Sequence, residues 1–528
     1  MLCLYQNVGN FGTYFKHILM NMIKFFFVSI FCVVAVLASA QGDYEQNIYL
    51  VKNNYSLFES TDTAHVSERS NDFRHFKFLD YQSKKNEAVS LFNVSPLYLA
   101  STGYDTYKKQ NITQTGLGAM LDARLFKNKL SINAKIFQFS GNFPTYLDSV
   151  ISKTNMIPYA GYAHPLGKNS YYYWNNSFSL SYKASNNFTI TFANDRNFIG
   201  NGYRSLLLSN NANNYPHLKI EAKLWHFKYK AIFANFYDIR FADGKFNKFQ
   251  NKYGAIHYVQ WQVVKKLQLS FFEAIMFQSR NAKGFGYDIN YLNPIIFYRP
   301  VEYSLGSADN ALLGGNLLWD IKSNFSVYSQ IILDEFLLSA IKARKGWVDN
   351  KQGLQIGIKT SQKIGKHLLN ILAEFNYLRP FIYSHRNTIQ NYANYGMPLA
   401  HPYGGNFYEV LGTIKYRPAK YFQINGTVSY ALIGYDQNGI SYGQSINNSY
   451  IIRVKYNQQD EGNKVGQGLT TKQVLLNINA FYGLNKTNNT CINAGLMVRA
   501  TANINTKVFS AYPYIGISTL VFKNGGLF

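Results

Sequence analysis

Strict alternation of apolar and polar residues over short runs, repeated many times along one chain, is the feature that most constrains this sequence. Leu117, Leu121, Ala123 and Leu125 share one parity, and Gly118, Met120, Asp122 and Arg124 share the other. After Lys127-Asn128 the pattern resumes, with Leu130, Ile132, Ala134 and Ile136 set against Ser131, Asn133 and Lys135. Side chains on a strand project to opposite faces with period two, so each run is a strand with one apolar and one wet face. Similar runs recur at 178–183, 188–192, 218–224, 369–375, 422–430 and 476–480. Ionised groups on the wet face of a long exported chain point to an all-β, antiparallel transmembrane barrel.

Export is read from the start of the chain. Lys24 precedes a run over 25–37 that is apolar except for Ser29, and Ala38-Ser39-Ala40 supplies small residues at the cleavage positions. This is the form of a cleaved Sec-type signal peptide over 1–40, with Met20 and Met22 as alternative starts and Gln41 as the first mature residue. The run is too short for a spanning helix, and no later segment nears the roughly 20 apolar residues that one needs. Barrel strands escape a hydropathy scan because half of their residues face a polar lumen. Cys3 and Cys32 leave with the leader, so Cys491 stands alone and no internal disulfide can form. Cys32 also lacks the small-residue context of a lipoprotein anchor.

Residues 41–110 are the least regular part and read as a small periplasmic N-terminal segment; 111–528 read as the barrel. Dividing the mature chain by usual strand and turn lengths gives about 18 strands. Connections near 141–170, 279–316, 378–408 and 433–450 are long, which places them outside the cell or folded into the barrel mouth. A last strand near 510–522 precedes the terminal Phe528.

The formal charge is +25, and removing Lys16 and Lys24 with the leader leaves +23. An exported barrel meets no nucleic acid, so the counter-charge is outer-membrane lipopolysaccharide or an acidic glycan, with the other lysines lining loops and lumen. Aromatic residues make up 17% of the chain, which suits the girdles that barrels place at the two membrane interfaces.

Charged residues on the wet parity form candidate ion pairs across the lumen: Asp122 with Arg124, Glu221 with Lys219 and Lys223, and the carboxylates of Asp334, Glu335 and Glu374. Metal-site signatures are missing. The sequence holds no H-E-x-x-H and no paired C-x-x-C. Ser384 and His385 are neighbours, which on a strand point to opposite faces. Gly284-Phe285-Gly286 and Gly466-Gln467-Gly468 open no helix, so neither is a nucleotide cradle. The chain is accordingly read as a non-enzyme without cofactor or metal.

The most distinctive stretch is Asn194-Asp195-Arg196-Asn197-Phe198-Ile199-Gly200-Asn201-Gly202-Tyr203-Arg204-Ser205-Leu206-Leu207-Leu208-Ser209-Asn210-Asn211-Ala212, closing at Tyr215-Pro216. It resembles the signature of the Wzi-like capsule-assembly family of outer-membrane proteins, including its Bacteroidetes branch. Asn293-Pro294, Glu302 and Asp309-Asn310-Ala311-Leu312-Leu313-Gly314 follow in the expected order. So do Asp334-Glu335-Phe336, the run 374–380 and His401-Pro402-Tyr403-Gly404-Gly405-Asn406. The later blocks are similar to proteins of that branch called RemB-like and linked to gliding motility. The resemblance implies a barrel that holds or organises surface polysaccharide without covalent catalysis, with surface-adhesion or gliding machinery as a further partner. Asp195, Arg196, Gly200, Gly202, Ser209, Asn210, Asp309, Asn310, Asp334 and Glu335 match the family pattern and are read as a network closing the lumen. Sugar contacts fall to loop residues such as Tyr383, Tyr392, Tyr395 and Tyr403, because sugar rings stack on aromatic faces. A porin-like solute channel is the competing reading, and an outer-membrane hydrolase a more distant one.

Overall fold

The structure is a computed structural model. It describes residues 79–83 and 90–519, less 159, 168, 241, 243–247, 279–286, 293–308, 336–337, 366, 420, 453–459 and 485–489. All of these belong to the unit Phe58–Phe528, one of two into which the chain divides. The leader over 1–40, Asn293-Pro294 and Glu302 lie outside the described residues.

Eighteen antiparallel strands close into a barrel. In chain order they are β1 (Ser90–Asp105), β2 (Gln110–Leu125), β3 (Leu130–Gly141), β4 (Ser177–Ser185), β5 (Phe188–Asp195) and β6 (Tyr215–Leu224). Next come β7 (Phe227–Asp238), β8 (Gln250–Val264), β9 (Leu267–Phe277), β10 (Asn310–Lys322), β11 (Phe325–Leu333) and β12 (Gln352–Ile364). The last six are β13 (His367–Leu378), β14 (Phe407–Ala419), β15 (Phe422–Tyr435), β16 (Leu469–Gly483), β17 (Thr490–Ala502) and β18 (Lys507–Thr519). Each strand pairs with its sequence neighbour, and β18 closes on β1 from Leu99↔Ser518 to Gly103↔Tyr514. A short strand, Leu79–Ser83, adds to the start of β1. The ring therefore opens at Ser90, ahead of the boundary at 111 expected from the alternation. The run 90–105 carries Pro96 and the small, polar stretch Ala100-Ser101-Thr102-Gly103, which blur its period in the sequence.

The parity holds around most of the ring; His257 and Glu273, opposite each other on β8 and β9, are buried on the outward parity. On β2, Leu117 is 75% exposed on the outside, whereas Asp122 is 7% exposed inside. Ile136, Phe192, Ile331, Val410 and Val428 share the outward apolar face. Loop lengths separate the two ends. The end holding the start of β1 carries tight turns such as 126–129, 225–226 and 323–324. The opposite end carries the long connections 142–176, 196–214, 278–309, 334–351, 379–406 and 436–468. Near the turn end, exposed Phe126, Trp225, Phe227, Trp261 and Trp319 supply an aromatic girdle. Helix α1 (Thr145–Thr154) lies in the first long connection. Its cap position is Pro144, so the last residue of β1 supplies the missing acceptor: Thr145 N–H donates to Asp105 Oδ2 at 2.6 Å.

Candidate functional site

The inward face has two zones. Toward the turns it is polar, as the alternation requires. Toward the loop end it becomes apolar, with Ile232, Ile256, Phe272, Leu312, Ile332 and Ile433 buried. A barrel cannot leave such a face in water, and two connections fill the space. Connection 196–214 brings Leu206, Leu207 and Leu208, each 0% exposed, against these strands. Connection 379–406 brings Tyr383, Tyr392 and Leu399 over them. Burying three leucines is worth about 5–9 kcal/mol. The buried backbone is also satisfied. Tyr383 Oη donates to Leu206 O at 2.7 Å, Tyr392 Oη donates to Leu207 O at 2.8 Å, and Leu206 N–H donates to Gln330 Oε1 at 2.8 Å.

Where the plug meets the polar zone, one carboxylate holds it. Glu374 of β13 accepts from Tyr203 N–H at 2.9 Å, Arg204 N–H at 3.2 Å, Tyr328 Oη at 2.7 Å and Asn376 Nδ2 at 2.9 Å. The Arg204 guanidinium reaches Glu409 of β14 at 3.5 Å, and His401 Nε2 lies 2.9 Å from the other oxygen of Glu409. Gln355 Nε2 donates to the Arg204 carbonyl at 3.2 Å and to Asn376 Oδ1 at 2.9 Å. Burial lowers the His401 pKa to about 4, outweighing the pull of Glu409, so its imidazole is neutral at pH 7. Two glycines permit this approach. A Cβ on Gly202 would sit 2.1 Å from Glu374 Oε2, and one on Gly200, at φ +154°, would sit 2.5 Å from Gln330 Nε2.

The residues singled out in the sequence have varied places. Gly200, Gly202 and Ser209 are part of the plug, Ser209 N–H donating to Leu399 O at 2.7 Å. Asp195 accepts from Arg196 N–H at 2.8 Å, and Arg196 Nη1 donates to the Asn210 carbonyl at 3.3 Å. The Asn210 residue itself is exposed, so only its backbone joins the network. Asp309 accepts from Tyr291 Oη at 2.6 Å and Gln390 Nε2 at 2.8 Å, and Asn310 Nδ2 donates to Gln390 O at 3.0 Å. Asp334 and Glu335 lie just past β11, in a bend rather than a strand. Asp334 Oδ2 accepts from Tyr383 N–H at 2.8 Å, and buried Lys351 reaches Glu335 at 3.2 Å. Burial would lower the Lys351 pKa, but Asp334 and Glu335 together hold it above its usual value.

The matching residues thus form separate knots, tying plug and loops to the wall, rather than one network around Arg196. The cation at the central knot is Arg204, which lies inside the distinctive block. The other members of that knot, Tyr328 and Asn376 on Glu374 and Gln355 and Glu409 on Arg204, were also missed, although they share the inward parity of their strands. Among the lumen pairs, Asp122–Arg124 approach at 3.9 Å. Glu221 pairs with Lys219 at 3.8 Å and with Lys230 at 3.7 Å. Lys223 instead stands opposite Lys228 in the register.

The four loop tyrosines also divide. Tyr383 and Tyr392 are 0% exposed with both hydroxyls donated, so they are plug core and cannot stack on a sugar. Tyr403 is half-buried, its hydroxyl accepting from Gln473 Nε2 at 2.7 Å. Tyr395 is half-buried beside Tyr237 and Phe249, with ring centroids 5.6 and 5.8 Å away, in a cluster at the loop end. Ser384 Oγ donates to Phe381 O at 2.5 Å, and His385 Nδ1 faces the backbone of Asn387 at 3.3 Å, so they form no nucleophile–base pair.

No family model matches the chain, and no curated protein does. Among solved structures it is similar to Wzi of Escherichia coli, described as an outer membrane protein involved in group 1 capsule assembly and a carbohydrate binding beta-barrel. The likeness covers 86% of each chain at 12% identity, with a TM-score of 0.51. Pseudomonas aeruginosa OccK5 matches over 81% of this chain and 97% of its own at 9% identity, with a TM-score of 0.43. Acinetobacter baumannii OccAB2 matches over 81% and 97% at 10% identity, with a TM-score of 0.42. At these identities, the likeness to Wzi establishes a shared fold: this chain is a closed, 18-stranded outer-membrane-type β-barrel.

Proposed function

We propose that this chain sits in a bacterial outer membrane, with its long connections outside and its turns in the periplasm. There it holds surface polysaccharide without covalent chemistry. The observation that carries this reading is the plug. A solute channel needs an open lumen, whereas here three leucines are buried in it and Glu374 clasps two consecutive backbone amides of the inserted segment. The aromatic cluster of Tyr237, Phe249 and Tyr395 gives the outer rim a platform of the kind sugar rings stack on. The E. coli barrel with the same fold is described as carbohydrate binding, which supports the same class of ligand here. A cleaved leader over 1–40 delivers the chain in this reading, residues 41–78 stay periplasmic, and lipopolysaccharide surrounds the strands. A role in gliding or surface adhesion draws its support from the sequence resemblance alone.

The test is deletion of the protein, followed by staining for cell-attached and released polysaccharide. Release into the medium is expected, and restoration by the wild-type chain but not by Tyr395→Ala assigns the rim. Unchanged attachment in the deletion strain sinks the reading.

A further inference from the structure

Below the plug, the lumen is not evenly polar. On four adjacent strands, β4 to β7, five lysines surround one carboxylate. The register places Lys183, Thr189, Glu221 and Lys230 in one row across the wall. Lys219 lies in the next row toward the plug, opposite Thr191. Lys223 and Lys228 lie directly opposite each other in the row nearer the turns. All of these face inward, on the parity of Asp195 and His217, and Lys183, Lys223 and Lys228 are exposed there. Glu221 is shared between Lys219 and Lys230, at 3.8 and 3.7 Å. Like charges directly across a strand pair are destabilising, so the Lys223–Lys228 pairing costs stability when no anion lies between them. Lys359, Lys363, Lys415 and Arg417 add positive charge farther round the same end of the lumen.

We propose that this turn-end half of the lumen is a vestibule that binds an acidic oligosaccharide. The assignment rests on the reading above for which side it opens to, the periplasm, and for the class of polymer. Three features favour a sugar chain with spaced carboxylates over a single small anion. From Lys183 to Lys230 the cations span three strand spacings, about 14 Å. Hydroxyls of Thr189, Thr191 and Ser181 lie between them, Ser181 and Thr191 being in contact at 3.0 Å. The plug closes the far end, so a chain entering from the turns is held rather than passed through. The protein would then grip an acidic polymer from inside as well as at its outer rim.

The test uses the full mature protein in detergent micelles and fluorescence-labelled oligogalacturonate, with dextran oligomers of equal length as the neutral arm. Wild type is expected to bind oligogalacturonate and not dextran, more weakly as salt is raised. Lys223→Gln/Lys228→Gln/Lys230→Gln should lose at least tenfold in affinity. The corresponding triple Arg variant, which keeps the charge, should retain binding and reports that the wall is intact. Three outcomes overturn the vestibule: no binding of oligogalacturonate by wild type, equal binding of dextran, or undiminished binding by the Gln variant. Surface attachment is scored separately in cells, so normal attachment without vestibule binding removes this proposal alone. Released polysaccharide in a strain carrying only Tyr395→Ala, with vestibule binding intact, keeps both.

Discussion

Truncating Glu374 to Ala should release the plug without opening the wall. The backbone of Glu374 pairs with Gly357 on one side and Leu411 on the other, and neither ladder depends on the side chain. The side chain, however, is the acceptor for Tyr203 N–H, Arg204 N–H, Tyr328 Oη and Asn376 Nδ2. A buried donor left without its acceptor costs about 1–3 kcal/mol. Water entering the vacated space recovers part of this, and neighbouring losses do not add fully. A net weakening of about 3–6 kcal/mol follows, taking three of the four donors at the low to middle of that range. At 1.4 kcal/mol per tenfold, even the lower figure raises the opening equilibrium of the plug on the order of 100-fold. Hydrogen exchange read by mass spectrometry on peptides covering 199–208 is the direct assay. Protection there should fall by that factor, while β13 and β14 amides stay protected. Planar bilayers should show conductance steps that wild type lacks. Unchanged protection at 199–208 in a correctly folded variant would refute the account of Glu374 as the clasp.

Other perturbations probe separate parts of the same structure. Gly202→Ala places a methyl 2.1 Å from Glu374 Oε2 and 2.8 Å from Tyr328, so it should mimic Glu374→Ala in hydrogen exchange; wild-type protection would contradict the close approach. Leu117→Arg puts a cation on the outer face midway along β2 and should cost about 2–4 kcal/mol of barrel stability, read by urea unfolding in vesicles; Thr115→Ala serves as the mild control. His401 has its pKa lowered by burial from 6.5 to about 4, so the open state takes up protons first as pH falls. Docking of 399–406 should be strongest above pH 6.5 and weaken toward pH 4, by on the order of 3 kcal/mol. Exchange in that segment should show the trend, His401→Gln should flatten it, and a pH-independent wild type would count against a neutral buried imidazole.

How much could be read in advance varied with the range of the interactions. Alternation along 117–125 and 130–136 gave two strands, their faces and their neighbour relation, because period two and a short turn are local properties. The strand number, about 18, came instead from dividing the mature chain by usual strand and turn lengths. The alternation placed the start of the ring too late, because 90–105 carries a proline and small residues that dilute its pattern. The block 194–216 stood out and its residues were read as a network closing the lumen, but not as a segment inserted into it. Nothing local distinguishes a loop that waves in solvent from one that turns back into a barrel. The three consecutive leucines were a usable sign, since an exposed loop gains nothing from them.

Tyr383 and Tyr392 show the converse. Aromatic loop residues suit sugar stacking in general, yet these two are needed to cap the carbonyls of Leu206 and Leu207, more than 170 residues away in the chain. Arg204 likewise meets Glu374 and Glu409 only after the ring has closed, and no spacing in the sequence encodes that meeting. By itself, then, the sequence determined a barrel of about 18 strands, its inner and outer faces and the end that carries long loops, all of which follow from period and length. Only the tertiary structure decided what fills the lumen. The reason is physical: the apolar zone of the inner face must be dried by some segment, and which segment serves depends on buried hydrogen-bond partners that closure of the ring alone brings together.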